Sequence, residues 1–312
     1  MTAVISGSVA YDTIMVFNDR FKQHILPEQV HILNVSFLVE NLRKEFGGCA
    51  GNIAYNLKLL GGEPLPLATV GADFKEYADW MAKWGIRQDF IRTLPEHYTA
   101  QAYITTDLDD NQITAFHPGA MSQAHAVDVP RNAGAELAII APNGRDGMLN
   151  HARQCRAAGI PFLFDPGQAM PLFDGEDLRW FVEQATWVAV NDYESRLLME
   201  RTGLGLDALA AQVEALIVTR GAEGSEIHTN GECVRIPVVK PRQVLDPTGC
   251  GDAYRAGLIH GLLNGLDWSV TGRIASLMGS IKVAHHGTQN HHFAMDDFRA
   301  WYQEAFGEVL PV

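Results

Sequence analysis

The 312-residue chain has only four cysteines, Cys49, Cys155, Cys233 and Cys250, widely spaced and with no C-x-x-C pair. That excludes a disulfide framework or a zinc knuckle and reads as reduced thiols. No apolar stretch approaches the ~18 residues needed to cross a bilayer, and the opening MTAVISGSVAYD lacks the basic and apolar regions of a signal peptide. A cytoplasmic address is expected. Basic residues are in deficit: 24 Lys+Arg against 37 Asp+Glu leave a formal net charge of −13, and no basic run offsets it. Such a field repels phosphate backbones and anionic membranes, so neither nucleic acid nor membrane is an expected partner. There is no Pro/Ser-rich linker and no internal repeat, so a single domain over 1–312 is expected. The P-loop pattern G-x-x-x-x-G-K-S/T is missing as well, which excludes that class of nucleotide site.

What is present is a 47% hydrophobic chain, enough for a large core. Short apolar runs at 3–9 (AVISGSV), 64–71, 136–142, 161–165, 187–191 and 215–221 read as strands. Segments 49–61, 74–85, 147–159, 176–185, 192–203 and 206–214 carry the helical period or good helix formers. Strand and helix in alternation predict an α/β fold, a doubly wound, mostly parallel sheet with helices on both faces. Ligands then bind at the carboxyl ends of the strands. Two segments break the rhythm: 12–18 with 30–40, and 99–106 with 111–117 across the turn DLDDN. They predict a small β-sheet inserted into the core, spanning about 12–44 and 97–119. SEIHTNGECVRIPV at 225–238 predicts an antiparallel edge hairpin with Asn230-Gly231 at its tip.

The chemistry is concentrated in VLDPTGCGDAYRAGLIHGLL, 244–263. After a β-like segment, Thr248-Gly249-Cys250-Gly251 turns tightly into a long apolar-periodic helix. Such a turn leaves backbone N–H groups free at the positive end of the helix dipole, which makes an anion site. Asp252 sits in that same positive end, placed to accept a proton from a substrate hydroxyl while the N–H groups face a transferring phosphoryl group. Asp252 as a plain capping carboxylate is the competing reading. A second Gly-rich turn, FGGCAGN at 46–52, also opens a helix: Gly47 and Gly48 allow close backbone approach, and Asn52 offers an amide to hydroxyls. Asp12 follows the first strand, where a carboxylate can hold two hydroxyls of a sugar.

These motifs together resemble the ribokinase-like, or PfkB, carbohydrate and nucleoside kinases. DPTGCGD at 246–252 resembles the family's D-T-x-G-A-G-D, GGCAGN at 47–52 its G-G-x-x-x-N, Asn191-Asp192-Tyr193-Glu194 its N-x-x-E, and Thr219-Arg220-Gly221 its T-x-G. The order is the family's and the motifs span most of the chain. Pro247, Cys250 and Tyr254 depart from it. The resemblance implies an ATP-dependent phosphotransferase with Asp252 as catalytic base and N–H groups of Gly249, Cys250 and Gly251 on the transferred phosphate. It implies that Asp12, Gly47, Gly48 and Asn52 bind the acceptor, and that Asn191 and Glu194 organise Mg²⁺ through water. Without the family, Asn191-x-x-Glu194 is a helix capping box. Thr219, Gly221, Gly287 and Asn290 are implied to line the nucleotide side, and Asp246 with the backbone of Thr248 to hold K⁺. The inserted sheet is implied to be a lid over the acceptor, and a homodimer contact if the protein is not a monomer.

Ile14, Phe17, Tyr103 and Phe116, in the lid strands, are candidate stacking faces for a purine or simply packing between lid and core. The resemblance is nearest to bacterial adenosine kinases, so adenosine is the expected acceptor, phosphorylated at its 5′-hydroxyl. The alternatives are a sugar kinase for ribose or fructose, and a silent nucleoside-binding module. His285, His286, His291 and His292 fit no helical metal-ligand spacing and read as ordinary turn residues. Cys250 is either a thiol acidified by the helix start or an inert, buried substitute for Ala.

Overall fold

In a computed structural model, residues 1–25, 35–109 and 111–312 are described. The continuous apolar runs become strands buried on both faces: β1 (Thr2–Ser6), β4 (Glu63–Val70), β8 (Leu137–Ile140), β9 (Phe162–Phe164), β10 (Trp187–Asn191) and β11 (Ala215–Thr219). With β5 (Ile91–Thr93), β12 (Ser225–Thr229) and β13 (Glu232–Ile236) they form one sheet ordered β13-β12-β11-β10-β9-β8-β1-β4-β5. Pairings from β11 to β5 are parallel; β12 and β13 are antiparallel to their neighbours. The hairpin tip uses Asn230 at φ 51 and Gly231 at φ 78, the two positive angles that a tight I′ connection requires.

Alternation along each strand divides two cores. Ala3, Ile5, Leu137, Ile139, Ala189 and Ile217 face one side, against α2 (Cys49–Leu59), α3 (Lys75–Lys83) and α8 (Cys250–Leu263). Val4, Ala138, Ile140, Val190 and Val218 face the other, against α4 (Arg145–Ala158), α5 (Gly175–Gln184) and α6 (Asp192–Thr202). A third cluster joins α8 to α9 (Trp268–Val283) and α10 (Met295–Phe306).

A second sheet, ordered β3-β2-β6-β7, is built from β2 (Ala10–Phe17), β3 (Val39–Gly47), β6 (Ala100–Thr106) and β7 (Gln112–His117). The small inserted sheet is there, with one boundary moved. Its second strand in chain order runs over Val39–Gly47, later than the expected run at 30–40, of which residues 30–34 lie outside the described residues. The helix expected over 206–214 is only Leu206–Ala210, because Glu214 N–H already donates to the Thr186 carbonyl at 2.8 Å as the chain enters β11. β5 carries no strong sequence signal, being three residues of which two are exposed, and α10 is not among the expected helices although Phe298 and Tyr302 give it a buried face.

Candidate active site

Helix α8 is capped by Gly249, whose φ of 78° lies in the left-handed region open to glycine. The turn before it closes when Cys250 N–H donates to the Pro247 carbonyl at 3.1 Å. Among the described residues, the N–H groups of Gly249, Gly251 and Asp252 donate to no protein acceptor. Of the three N–H groups expected to face an anion, those of Gly249 and Gly251 are free while that of Cys250 is committed to the turn, and the Asp252 N–H is free as well. A Cβ added at Gly251 would meet nothing within 4 Å, so this edge of the turn is open space.

Asp252, in the first turn of α8, accepts from Asn52 Nδ2 at 2.7 Å. Burial pushes its carboxyl up to about 7, helped by nearby Asp165 and opposed by the Asn52 hydrogen bond and Arg255. Asn52 sits in the first turn of α2 and is oriented from behind. The Trp80 indole can only donate, and it donates to Gln289 Oε1 at 2.9 Å. Gln289 Nε2 must then face outward, and donates to Asn52 Oδ1 at 3.0 Å. That leaves Asn52 its NH₂ group for Asp252. Gln289 Nε2 also meets Tyr77 Oη at 2.6 Å, and Tyr77 donates to the Gly47 carbonyl at 2.8 Å. Trp80, Tyr77 and Gln289 have no motif signal; tertiary packing alone brings 289 to 52.

Asp252 forms part of the floor of a cavity of about 860 Å³, lined also by Asp12, Gly48, Asn52, Phe116, Thr248, Gly249 and Gly251. One row of the small sheet provides its upper wall, since Asp12 pairs with Ala102 and Ala102 with Phe116. Period-2 alternation puts these three on the cavity face and Tyr103 and Phe17 on the other. Phe17 is buried there against Phe21 and Phe37, so it is a packing residue and not a stacking face of the cavity. Asp12 has no hydrogen-bond donor among the described residues, and burial, with Asp246 and Glu45 nearby, raises its carboxyl to about 6. Gly47 is required here: a Cβ on it would lie 2.5 Å from Asp12 Oδ2. Met121, Pro171 and Leu172 add an apolar end that sequence reading missed, contributed by two short 3-10 helices, Gly119–Ala126 and Gly167–Leu172, outside any motif.

The remaining expected residues lie outside this lining. Asn191 and Thr219 are register partners at the carboxyl ends of β10 and β11, and Gly221 follows. The capping box is complete: Asn191 Oδ1 accepts from Glu194 N–H and Glu194 Oε2 from Asn191 N–H, both at 2.8 Å. Glu194 Oε1 has no protein partner among the described residues, so one hard oxygen remains for a hydrated Mg²⁺. Beside it, Arg255 is buried and paired with Asp165 at 3.1 Å, and it donates to the Ala189 carbonyl at 3.3 Å. Asn290 is turned to Glu45 of β3 at 2.8 Å, and Gly287 N–H donates to Asp246 Oδ2 at 2.9 Å.

Asp246, the expected K⁺ ligand, is already engaged: its two carboxylate oxygens each accept one N–H, from Thr248 and Gly287, at 2.9 Å. Its carbonyl accepts from Lys282 Nζ at 2.7 Å. Cys250 is not acidified: burial pushes its thiol up to about 11, and its Sγ lies 3.9 Å from the Asp246 carbonyl rather than in the cavity. His291 is core, with Nε2 at 2.7 Å from Asn56 Oδ1, and His285 Nδ1 donates to the Ile281 carbonyl at 2.9 Å. No described helix is long and apolar enough to cross a membrane.

A carboxylate and free amides at a helix start, at the carboxyl end of a parallel sheet and under a small second sheet, are chemically suited to phosphoryl transfer to a hydroxyl. Residues 8–293 match the model of the pfkB family of carbohydrate kinases, and the chain belongs to that family. It is similar to the nucleoside kinase of Methanocaldococcus jannaschii, 33% identical over 82% of this chain and 85% of the relative. It is also similar to the solved Burkholderia thailandensis nucleoside kinase in complex with inosine: TM-score 0.90, 49% identity, covering 98% of this chain and 99% of the other. The ribokinase of Bacillus subtilis is 24% identical over 78% of this chain and 83% of the relative. The fold is ribokinase-like and the small sheet is its lid.

Proposed function

We propose that this kinase transfers the γ-phosphoryl group of ATP to the 5′-hydroxyl of a nucleoside. The observation that carries the reading is the Asp252–Asn52 contact of 2.7 Å on the floor of the cavity, beside three unpaired N–H groups. In the step, the acceptor hydroxyl gives its proton to Asp252, its oxygen bonds to the γ-phosphorus, and the bond to the bridging oxygen breaks to release ADP. The N–H groups of Gly249, Gly251 and Asp252 face the charge on the transferred group. Asp12 and Asn52 take the ribose hydroxyls, and Phe116, Met121 and Leu172 suit the face of a base. Mg²⁺ bound with ATP supplies charge neutralisation at the phosphates, and Asn191 and Glu194 would hold its water shell. The lid excludes water that would otherwise hydrolyse ATP.

Adenosine is the acceptor favoured by the sequence resemblance; the inosine complex of the Burkholderia relative supports the wider class of purine nucleosides. The test is ADP release with adenosine, inosine, cytidine, ribose and fructose as acceptors. A nucleoside is expected to give the highest kcat/KM; a free sugar in that position would replace this reading with a sugar kinase.

A further inference from the structure

Lysine is among the side chains least often fully buried, because its ammonium loses its water unless carbonyls or carboxylates replace it. Lys282, in the last turn of α9, has no exposed surface at all. Its Nζ donates to the Asp246 carbonyl at 2.7 Å and to the His285 carbonyl at 3.2 Å. These carbonyls belong to two turns, one opening the anion-facing segment 246–250 and the other following α9. The Asp246 carboxylate ties the same two turns together through Thr248 N–H and Gly287 N–H. Burial drags the ammonium below its usual range, but Asp246 counters the effect and is itself held below the carboxylate range. A positive charge with oxygen ligands, fixed behind a turn that presents free amides to a phosphoryl group, is the arrangement a bound monovalent cation would supply.

We propose that Lys282 is a tethered cation standing where a free monovalent ion would otherwise bind, so that turnover requires no K⁺. Lys282 touches neither acceptor nor nucleotide and is a positioning residue: it fixes the Asp246 carbonyl, hence the turn, and adds charge behind the amides of Gly249 and Gly251. The inference rests on the anion-facing role given to that turn above.

The experiment measures kcat and KM for Mg·ATP at constant ionic strength, with K⁺ or NH₄⁺ replacing tetramethylammonium. Wild-type kcat is expected to stay within about twofold from none to about 0.1 M K⁺. Lys282→Met, similar in length but uncharged, is expected to lose about 10- to 100-fold in kcat in every salt. Lys282→Ala, which opens the space, is expected to be as slow in tetramethylammonium and to recover at least about fivefold in K⁺ or NH₄⁺. Activation of wild type by more than about tenfold with K⁺ overturns the proposal, as do variants with wild-type kcat or an alanine variant equally slow in all salts. Folding is checked by circular dichroism and nucleoside binding; if both variants fail it, the wild-type titration alone decides. An Asp252→Asn protein that keeps its turnover would instead overturn the site reading, leaving the salt profile to be judged separately.

Discussion

Asp252 shows what one carboxylate gains from its position. With burial lifting it to about 7, it is poised to accept a proton near neutrality, while the Asn52 amide keeps part of it ionised. Only the ionised form is a base, so kcat is expected to rise with pH through about 7 and then level off. In the role proposed for it, Asp12, raised to about 6, accepts from hydroxyls best when ionised, so KM for the acceptor should climb as the pH falls through that value. Asp252→Asn removes the titrating group and is expected to lower kcat by about 10²–10⁴-fold, with Mg·ATP affinity kept. The linkage has a definite sign: a carboxyl raised in the folded state favours folding at low pH, and that advantage is lost as pH rises through about 7. The same variant should therefore melt higher than wild type above neutrality, a calorimetric check independent of turnover. Asp252 and Asn52 were legible because glycine turns announce the backbone around them, and Asp12 because it follows the first strand of a parallel sheet. Gln289 and Lys282 were not, because one acts across 237 positions through a folded contact and the other reads as an ordinary lysine on a helix.

Among the elements, strands were the most readable, since burial on both faces leaves runs such as LAII and WVAV without polar interruption. Ends were less so: the early stop of the helix at Ala210 and the late start of β3 depend on partners far along the chain. The joint between α8 and the sheet is the Arg255–Asp165 pair, both members almost wholly buried, with Arg255 Nη1 lacking a partner among the described residues. Removing one member strands the other charge. Asp165→Ala is thus expected to cost about 3–5 kcal/mol in denaturant unfolding, more than replacement of both residues together by apolar ones of similar size. If the double replacement costs more than the single, the pair stabilises the joint outright.

On the scale of the whole molecule, the chain passes between lid and core four times, and two of these crossings are very short. β1 passes into β2 through Gly7-Ser8-Val9, and β3 into α2 through Gly48, where Ser8 Oγ accepts from Cys49 N–H at 3.0 Å. The lid places Phe116 on the lining of the cavity while leaving it 52% exposed. Phe116→Ala is expected to raise KM for a nucleoside by about tenfold and to leave the weaker KM for ribose unchanged, because only the base loses a stacking face. Equal effects on both acceptors would assign Phe116 to lid packing alone.

Trp80 lies well back from the reacting groups, its ring stacked on Phe46 at 5.2 Å and its indole N–H bonded to Gln289. Two amides separate it from Asp252. An indole emits according to its hydrogen bonding, so the chain of contacts that fixes Asn52 also makes the enzyme its own optical probe. Titration with nucleoside in the absence of ATP should change the intrinsic fluorescence. The change should vanish in Trp80→Phe and persist in Trp301→Phe, since Trp301 lies on α10 with its ring against Phe293.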